Sequence, residues 1–591
     1  MGIGTGGNAG IRRLPDGGLH ARMGAHAGAR LFGAEAPLYA TITSLAVFAC
    51  SAFAATAGFV LAALYLRGDY VEPDPFLSRL LFKTAFFALL AAASAWCAYR
   101  CAPAINLERE QPAAEPLATI RTRVLLFFAG ALAMLLVFPN LGRYPWPAPD
   151  EMHHLIVARN LAEFGTYASG HPDGTLIHFD PYDSVGPPVL VPVAAAFSVS
   201  GTSIEAARIL IALSYLLLCV FAYLLVRRRF GASAAAIGIL LMTTAFGSVY
   251  LARSLYGEVP ALMFLFAGLL LWRRAYSSST SARFGVAAGV CFGMAALCKT
   301  FILIGAPAFL AVWIYDRLTW RRILFVPHVL LPALGLVGVL SSWTLVEAAF
   351  RDPGSEEQIS TLVFYRHSLM FGLDSVTTLF STMGLQILPL LAATAVALLL
   401  LPTVFAKRYD PAIAVLGLLL VLFAFWWVFF TPARIPRYLW YSCAITALFS
   451  GVYLQHFLVR LRQHRLSRGA IVLGCSIGVV VVAAGLIRLG EQSQLVYAVD
   501  RVAPERALAA YVETLPEDAR IATVYWPAQR SINFLANRPI EVLYEGEDAT
   551  AYDLIIYSER MSPIPVALNE ATRFGHYLIV ESEPFAEAHH D

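Results

Sequence analysis

"SIEAARILIALSYLLLCVFAYLLVRRRF", residues 203–230, decides the fold: from Ile209 to Val226 it carries no charge, and it ends on three arginines. A helix that crosses a bilayer needs roughly 17–25 mainly apolar residues. This stretch meets that need and then stops at a basic loop. Runs of similar character lie at 38–66, 79–100, 122–139, 231–250, 257–272, 284–298, 300–316, 322–346, 384–405, 411–430, 438–458 and 469–488. The chain of 591 residues is 58% hydrophobic and 14% charged, against about a quarter charged in soluble domains. The expectation is a mainly α polytopic transmembrane bundle of about 13 spans. Residues 187–199 are apolar but too short to cross easily and read as a re-entrant or interfacial helix.

Orientation follows from the basic residues, because short cytoplasmic loops accumulate Lys and Arg. "RRRF" (227–230), "RRAYSSSTSAR" (273–283), "DRLTWRR" (316–322), "AKRYD" (406–410) and "RLRQHRLSR" (460–468) fall on one side when spans are counted from an Arg-bearing N-terminal tail. The opposite, extracytoplasmic face then receives 67–78, a large loop at 140–186, 251–258, 347–383, 431–437 and everything beyond 489. Residues 1–36, rich in Gly, Ala and Arg, read as a disordered cytoplasmic tail with no cleaved signal peptide, and 37–489 as the membrane domain. Between 490 and 591 a helical pattern at 503–515 and strand patterns at 519–526, 539–544, 553–558 and 576–582 imply a small extracytoplasmic α/β domain. A net charge of +3 and the lack of a Lys/Arg block exclude a nucleic-acid footprint. "GIGTGG" at 2–7 lacks the strand and helix that a phosphate loop requires. The eight cysteines lie inside or at the ends of apolar runs, without metal-binding spacing, and read as small buried hydrophobes.

The chemistry concentrates in "PAPDEMHHLIVARNLAEFG", residues 147–165. Prolines keep its approach extended, and Asp150 and Glu151 open an amphipathic helix expected to lie on the membrane surface. Acids in a first turn complement the helix dipole, which is one sufficient reason for them. That reason leaves His153 and His154 unused. Asp150 and His154 stand four apart on one helical face and can share a proton or a divalent ion, although the spacing is not that of a zinc-protease helix.

This loop, with "YDSVGPPVLVPVAAAFSVSGTSIEAARI" (182–209), "LARSLYGEVPALMF" (251–264), "GVAAGVCFGMAALCKTF" (285–301) and "RIPRYLW" (434–440), resembles the GT-C superfamily of integral-membrane glycosyltransferases, in particular lipid A aminoarabinose transferases and protein O-mannosyltransferases. The resemblance implies transfer of a sugar from a polyprenyl-phosphate donor to a lipid, glycan or protein acceptor at the extracytoplasmic face, in a bacterial inner membrane. An outer-face site has no access to cytosolic nucleotide sugars, which agrees with such a donor. The resemblance also points to Asp150, with Glu151 beside it, as catalytic base or metal ligand. The aminoarabinose transferases carry an acid and a lysine where this chain has Val185 and Gly186, so the donor phosphate must find its cation elsewhere.

Candidate phosphate-binding cations are Lys299, between two apolar runs, and Arg434 and Arg437, just outside another. The simpler readings are a snorkelling lysine and arginines that touch lipid headgroups. His153, His154, Tyr182, Glu258, Arg366 and Tyr438 are candidate substrate contacts, with His367 next to Arg366. Glu258 has the alternative of pairing with Arg253, and His328 reads as a hydrogen-bonded helix-end histidine. A flippase or transporter of lipid-linked glycans is the rival function. Its binding groups belong near the bilayer midplane and its halves often repeat, whereas here nearly all charges fall in loops and no repeat is evident.

Overall fold

The computed structural model describes residues 120–170, 175–180, 183–276, 281–320, 326–351, 410–430, 436–462, 472, 486–487, 489–544, 547–559 and 571–582. The tail 1–36, the spans expected at 38–66, 79–100 and 384–405, nearly all of 469–488, and Tyr182, Arg366, His367 and Arg434 lie outside the described residues.

The described chain is mostly helical. Helices α1 (Ile120–Val137), α2 (Pro149–Phe164), α3 (Pro187–Ser200), α4 (Ile204–Phe230), α5 (Ala232–Thr244), α6 (Glu258–Ala275), α7 (Ser281–Cys298), α8 (Ala306–Trp320), α9 (Leu331–Phe350), α10 (Pro411–Phe430) and α11 (Pro436–Arg462) form the bundle. A small hairpin, β1 (Ala168–Gly170) with β2 (Leu176–His178), follows α2. Among the described residues four helical stretches are long and apolar enough to cross a membrane: Ile204–Phe230, Thr300–Arg317, His328–Phe350 and Arg437–Val459. Thr122–Val137, Pro187–Ser200, Ala232–Thr244, Ala282–Cys298 and Pro411–Trp427 are shorter apolar helices.

Local chemistry explains the helix limits. The Ser203 hydroxyl caps α4 by accepting from the Ala206 N–H at 3.1 Å; Glu205 lies in its first turn and Arg227, Arg228 and Arg229 in its last. Both ends therefore complement the dipole. Helix α7 packs against α6 and α9, α11 against α5, and α4 against α6. One continuous apolar core runs through these contacts. The basic ends gather: Arg273, at the end of α6, donates to the Leu225 carbonyl of α4 at 3.0 Å and pairs with Asp410 beside α10 at 3.5 Å.

Helix α2 departs from the surface helix expected of it. Ten consecutive residues, Glu151 to Asn160, are buried, so the middle of the helix is covered all round. Its outer cover is the C-terminal segment: α12 (Ala503–Glu513), β3 (Ile521–Thr523), α13 (Trp526–Ala536), β4 (Glu541–Val542), β5 (Leu554–Ser558), β6 (Thr572–Phe574) and β7 (Tyr577–Glu581). The sheet order is β4-β3-β5-β7-β6, parallel across β4, β3 and β5 and antiparallel beyond. Arg159 of α2 donates to the Asn533 carbonyl of α13 at 3.2 Å. Trp146 and Tyr577 both donate to Glu505, at 2.6 and 3.0 Å.

On the inner side, Glu151 and Arg208 of α4 form a fully buried two-pronged ion pair, Nε to Oε1 at 2.9 Å and Nη2 to Oε2 at 2.7 Å. Removing one partner of such a pair leaves an uncompensated buried charge. Glu151→Ala or Arg208→Ala is expected to cost about 3–5 kcal/mol, and Glu151→Leu with Arg208→Met much less than either. Unfolding temperatures in micelles check both, and equal losses for the single and double variants would contradict the account.

Candidate active site

The site is assembled around the C-terminal end of α7. Gly186 donates its N–H to the Leu297 carbonyl at 2.9 Å, and a Cβ on Gly186 would stand 2.5 Å from that oxygen. Gly257, at φ +83°, lies equally close to the next carbonyl: a Cβ there would meet the Cys298 oxygen at 2.4 Å. Two glycines from distant segments therefore pack closely against successive carbonyls at one helix end. Their neighbours Ser184 and Glu258 are carried to Lys299, the residue after the helix.

Four charges converge there. Arg437 Nη2 donates to Asp150 Oδ2. Glu258 Oε1 lies 3.7 Å from Arg437 Nε and 3.9 Å from Lys299 Nζ. Side-chain exposure is 43% for Asp150, 13% for Arg437, 5% for Lys299 and 0% for Glu258, so the cluster runs from an open acid to a sealed one. Tyr256 and Tyr438 wall it: the Arg437 guanidinium stands 4.4 Å from the Tyr256 ring centroid and 5.3 Å from that of Tyr438, and Lys299 Nζ 5.9 Å from Tyr438. Burial alone would push the Asp150 carboxyl up. The charge and hydrogen bond of Arg437 outweigh it and hold the group well below the usual carboxylate range.

Lys299 Nζ donates to Ser184 Oγ at 2.9 Å, Ser184 Oγ lies 3.4 Å from His154 Nε2, and His154 Nδ1 lies 2.8 Å from the Leu255 carbonyl. A carbonyl only accepts, so Nδ1 carries the hydrogen. Burial, with His153 and Lys299 nearby, pushes the His154 imidazole well below its ordinary value, so the ring is neutral. Nε2 then accepts from the Ser184 hydroxyl, whose oxygen accepts from Lys299.

Both nitrogens of His154 are engaged, Asp150 is paired with Arg437, and among the described residues no three His, Cys, Asp or Glu side chains gather to hold an ion. The Asp150 and His154 pair does not fit a divalent metal.

The sequence candidates separate accordingly. Asp150, Lys299, Arg437, Glu258 and Tyr438 are brought together, with His154 behind them. Glu151 is turned away: besides Arg208 it accepts from the Leu255 N–H at 3.0 Å, a structural position and not one beside Asp150 in the cluster. His153 faces the hairpin side, 2.7 Å from Asp183 and 3.6 Å from Asp180. The pairing of Glu258 with Arg253 does not form. Arg253 instead bonds the carbonyls of Leu136, Val137, Asn140 and Tyr144 at 2.9–3.1 Å, closing the end of α1. His328 accords with its helix-end reading, 3.3 Å from the Ala275 carbonyl. Ser184 and Tyr256 escaped the sequence reading. Their only signal was a place next to glycines, in "DSVG" and "LYGE".

The architecture resembles that of ArnT from Cupriavidus metallidurans. The structure bound to undecaprenyl phosphate matches with a TM-score of 0.56 at 16% identity over 79% of this chain and 98% of that one. The apo form matches at 0.55 and 15%, over 78% and 98%. AglB from Archaeoglobus fulgidus, in complex with an inhibitory peptide and a dolichol-phosphate, is more distant, with a TM-score of 0.48 at 13% identity over 75% of this chain and 70% of that one. No curated protein sequence matches the chain. Residues 186–344, from Gly186 through most of α9, match the family model of dolichyl-phosphate-mannose-protein mannosyltransferases. The fold is thus that of a polytopic ArnT-like membrane protein. The family match covers residues 186–344 and the likeness to ArnT is one of fold, so what the two have in common with this chain is a membrane-embedded helical architecture.

Ser184→Ala leaves His154 Nε2 and one Lys299 N–H without their partner. An expected loss of about 1–3 kcal/mol follows from stranding buried polar groups, largely recovered by Ser184→Thr. Thermal unfolding of the two variants checks it, and identical values would mean that the hydroxyl links nothing.

Proposed function

We propose that the protein transfers a sugar from a polyprenyl-phosphate donor to a lipid, glycan or protein acceptor at the extracytoplasmic face of a bacterial inner membrane. The single observation that carries this reading is the convergence of Asp150, Lys299 and Arg437, from three separate helix ends, on one partly open cluster. The undecaprenyl phosphate bound to ArnT supports the donor class. The face is supported by charge: the cluster lies at the ends of α2, α6, α7 and α11 remote from the arginine-rich ends of α4 and α6, and basic ends mark the cytoplasmic side.

In this reading Lys299 and Arg437 hold the phosphate, Arg437 with a planar fork and Lys299 as a point charge. Lys299 supplies the cation missing at Val185–Gly186 and touches Ser184 immediately before them. The acceptor oxygen attacks the anomeric carbon, the bond from that carbon to the phosphate oxygen breaks, and the phosphate departs with the electron pair. Asp150 takes the acceptor's proton. While it is bound to Arg437 this carboxylate is a weak base. A phosphate that draws Arg437 away removes the interaction that depresses it and raises its proton affinity toward the ordinary carboxylate value. Base activation thereby waits for the donor. Tyr256 and Tyr438 offer apolar faces to the sugar or the guanidinium.

Asp150→Asn is expected to keep polyprenyl-phosphate binding and to lower transfer by about 10²–10⁴. Release of polyprenyl phosphate from a panel of polyprenyl-phosphate sugars measures it. Unchanged turnover in folded protein would refute the assigned role.

A further inference from the structure

Glu258 is the charged group in the cluster that the mechanism leaves unused. Its side chain is fully buried, and neither carboxylate oxygen has a hydrogen-bond partner among the described residues. Its nearest cations, Lys299 Nζ and Arg437 Nε, stand at 3.9 and 3.7 Å, beyond good hydrogen-bond distance. A structural carboxylate in this bundle looks different: Glu151 is forked onto Arg208 and also takes a backbone N–H. Glu258 forms long ion pairs with two cations and is hydrogen-bonded to neither. The first turn of α6 adds favourable dipole, and among the described residues Asp150 is a carboxylate that acts on it from across the cluster. Tyr441 of α11 also faces it.

We infer that Glu258 is an internal counter-ion standing in for the donor phosphate: it keeps Lys299 and Arg437 charged and in place when the site is empty of lipid, and it repels the phosphate enough for the spent carrier to leave. The inference rests on the donor reading above. An anion that binds both cations must sit beside this carboxylate, and the repulsion between the two opposes the attraction of the cations. A second negative charge is thus a device that weakens product binding without weakening the grip geometry. For transferases that regenerate the same lipid phosphate every turn, release matters as much as capture.

The test is binding of undecaprenyl phosphate to the purified full-length protein and its variants in nanodiscs, with dissociation rates. Glu258→Gln is expected to bind on the order of tenfold more tightly, chiefly through slower release. Lys299→Gln is expected to bind more weakly, and the double variant, with the original net charge, to fall near the unaltered protein. Equal or weaker binding by Glu258→Gln overturns the inference and makes Glu258 a support for the cations or a contact to sugar. If the single Gln variant does not fold, the double variant decides: a loss as large as that of Lys299→Gln alone overturns it. Failure of the unaltered protein to bind the lipid phosphate, or unaltered binding by Lys299→Gln, would remove the donor reading itself.

Discussion

The buried pair of Glu151 with Arg208 is the interaction on which the rest of the site depends. It takes two full charges out of water, so both must be satisfied, and it satisfies them by locking α2 to α4 in one rotation. The same carboxylate accepts from the Leu255 N–H, and His154, one turn along α2, donates to the Leu255 carbonyl. One residue of the 252–257 loop is therefore held through both its peptide groups by one helix. Tyr256, Gly257 and Glu258 follow at once in the chain, so their positions are inherited from that attachment. On the other side of α2, Asp150 is turned out toward Arg437. Adjacent residues on a helix point about 100° apart, and a charge pair that fixes Glu151 inward leaves Asp150 the outward direction.

That geometry shows what the sequence could and could not reveal. Asp150, Lys299 and Arg437 were legible because each is a charge at the edge of an apolar run, where a charge is expensive unless it has a purpose. Glu151 was assigned beside Asp150 because the two are neighbours in sequence, and neighbours on a helix do not share a face. The partner of Glu258 was misread for a different reason. The N–H groups of Arg253 are taken up by four carbonyl oxygens at the end of α1, more than a hundred residues away, and backbone carbonyls leave no trace in side-chain sequence. Ser184 is invisible on the same grounds, being one small hydroxyl whose role depends on a lysine brought up by another helix.

The fold was more readable than its layering. Apolar runs at 122–139, 203–226, 284–298, 411–430 and 438–458 correspond to α1, α4, α7, α10 and α11 within a few residues. The run at 231–250 is divided between α5 and a single turn at Ser248–Leu251, because the Gly247 backbone at φ +76° breaks it. The surface position assigned to α2 failed because its cover comes from α13, nearly four hundred residues later, and α13 was itself hidden inside a stretch that begins as strand. Burial that depends on such a contact cannot be inferred from local amphipathicity. The edge strand β6, three residues long, is too short to make a pattern.

Helix ends give the cluster its final asymmetry. Asp150 and Glu258 sit in the first turns of α2 and α6, and Lys299 follows the last turn of α7, each at the helix end that favours its sign. Arg437 does not: it opens α11, where the dipole favours an anion. Among the described residues it is held against that preference by Asp150, Glu258 and two tyrosine faces, and by no backbone carbonyl of the kind that fixes Arg253 or Arg208. Beside Arg208 and Arg253 it is thus, among the described residues, an arginine whose place is set by exchangeable charges. An arriving anion can take it over without breaking the scaffold, while Arg208 and Arg253 stay committed to backbone that a ligand cannot replace.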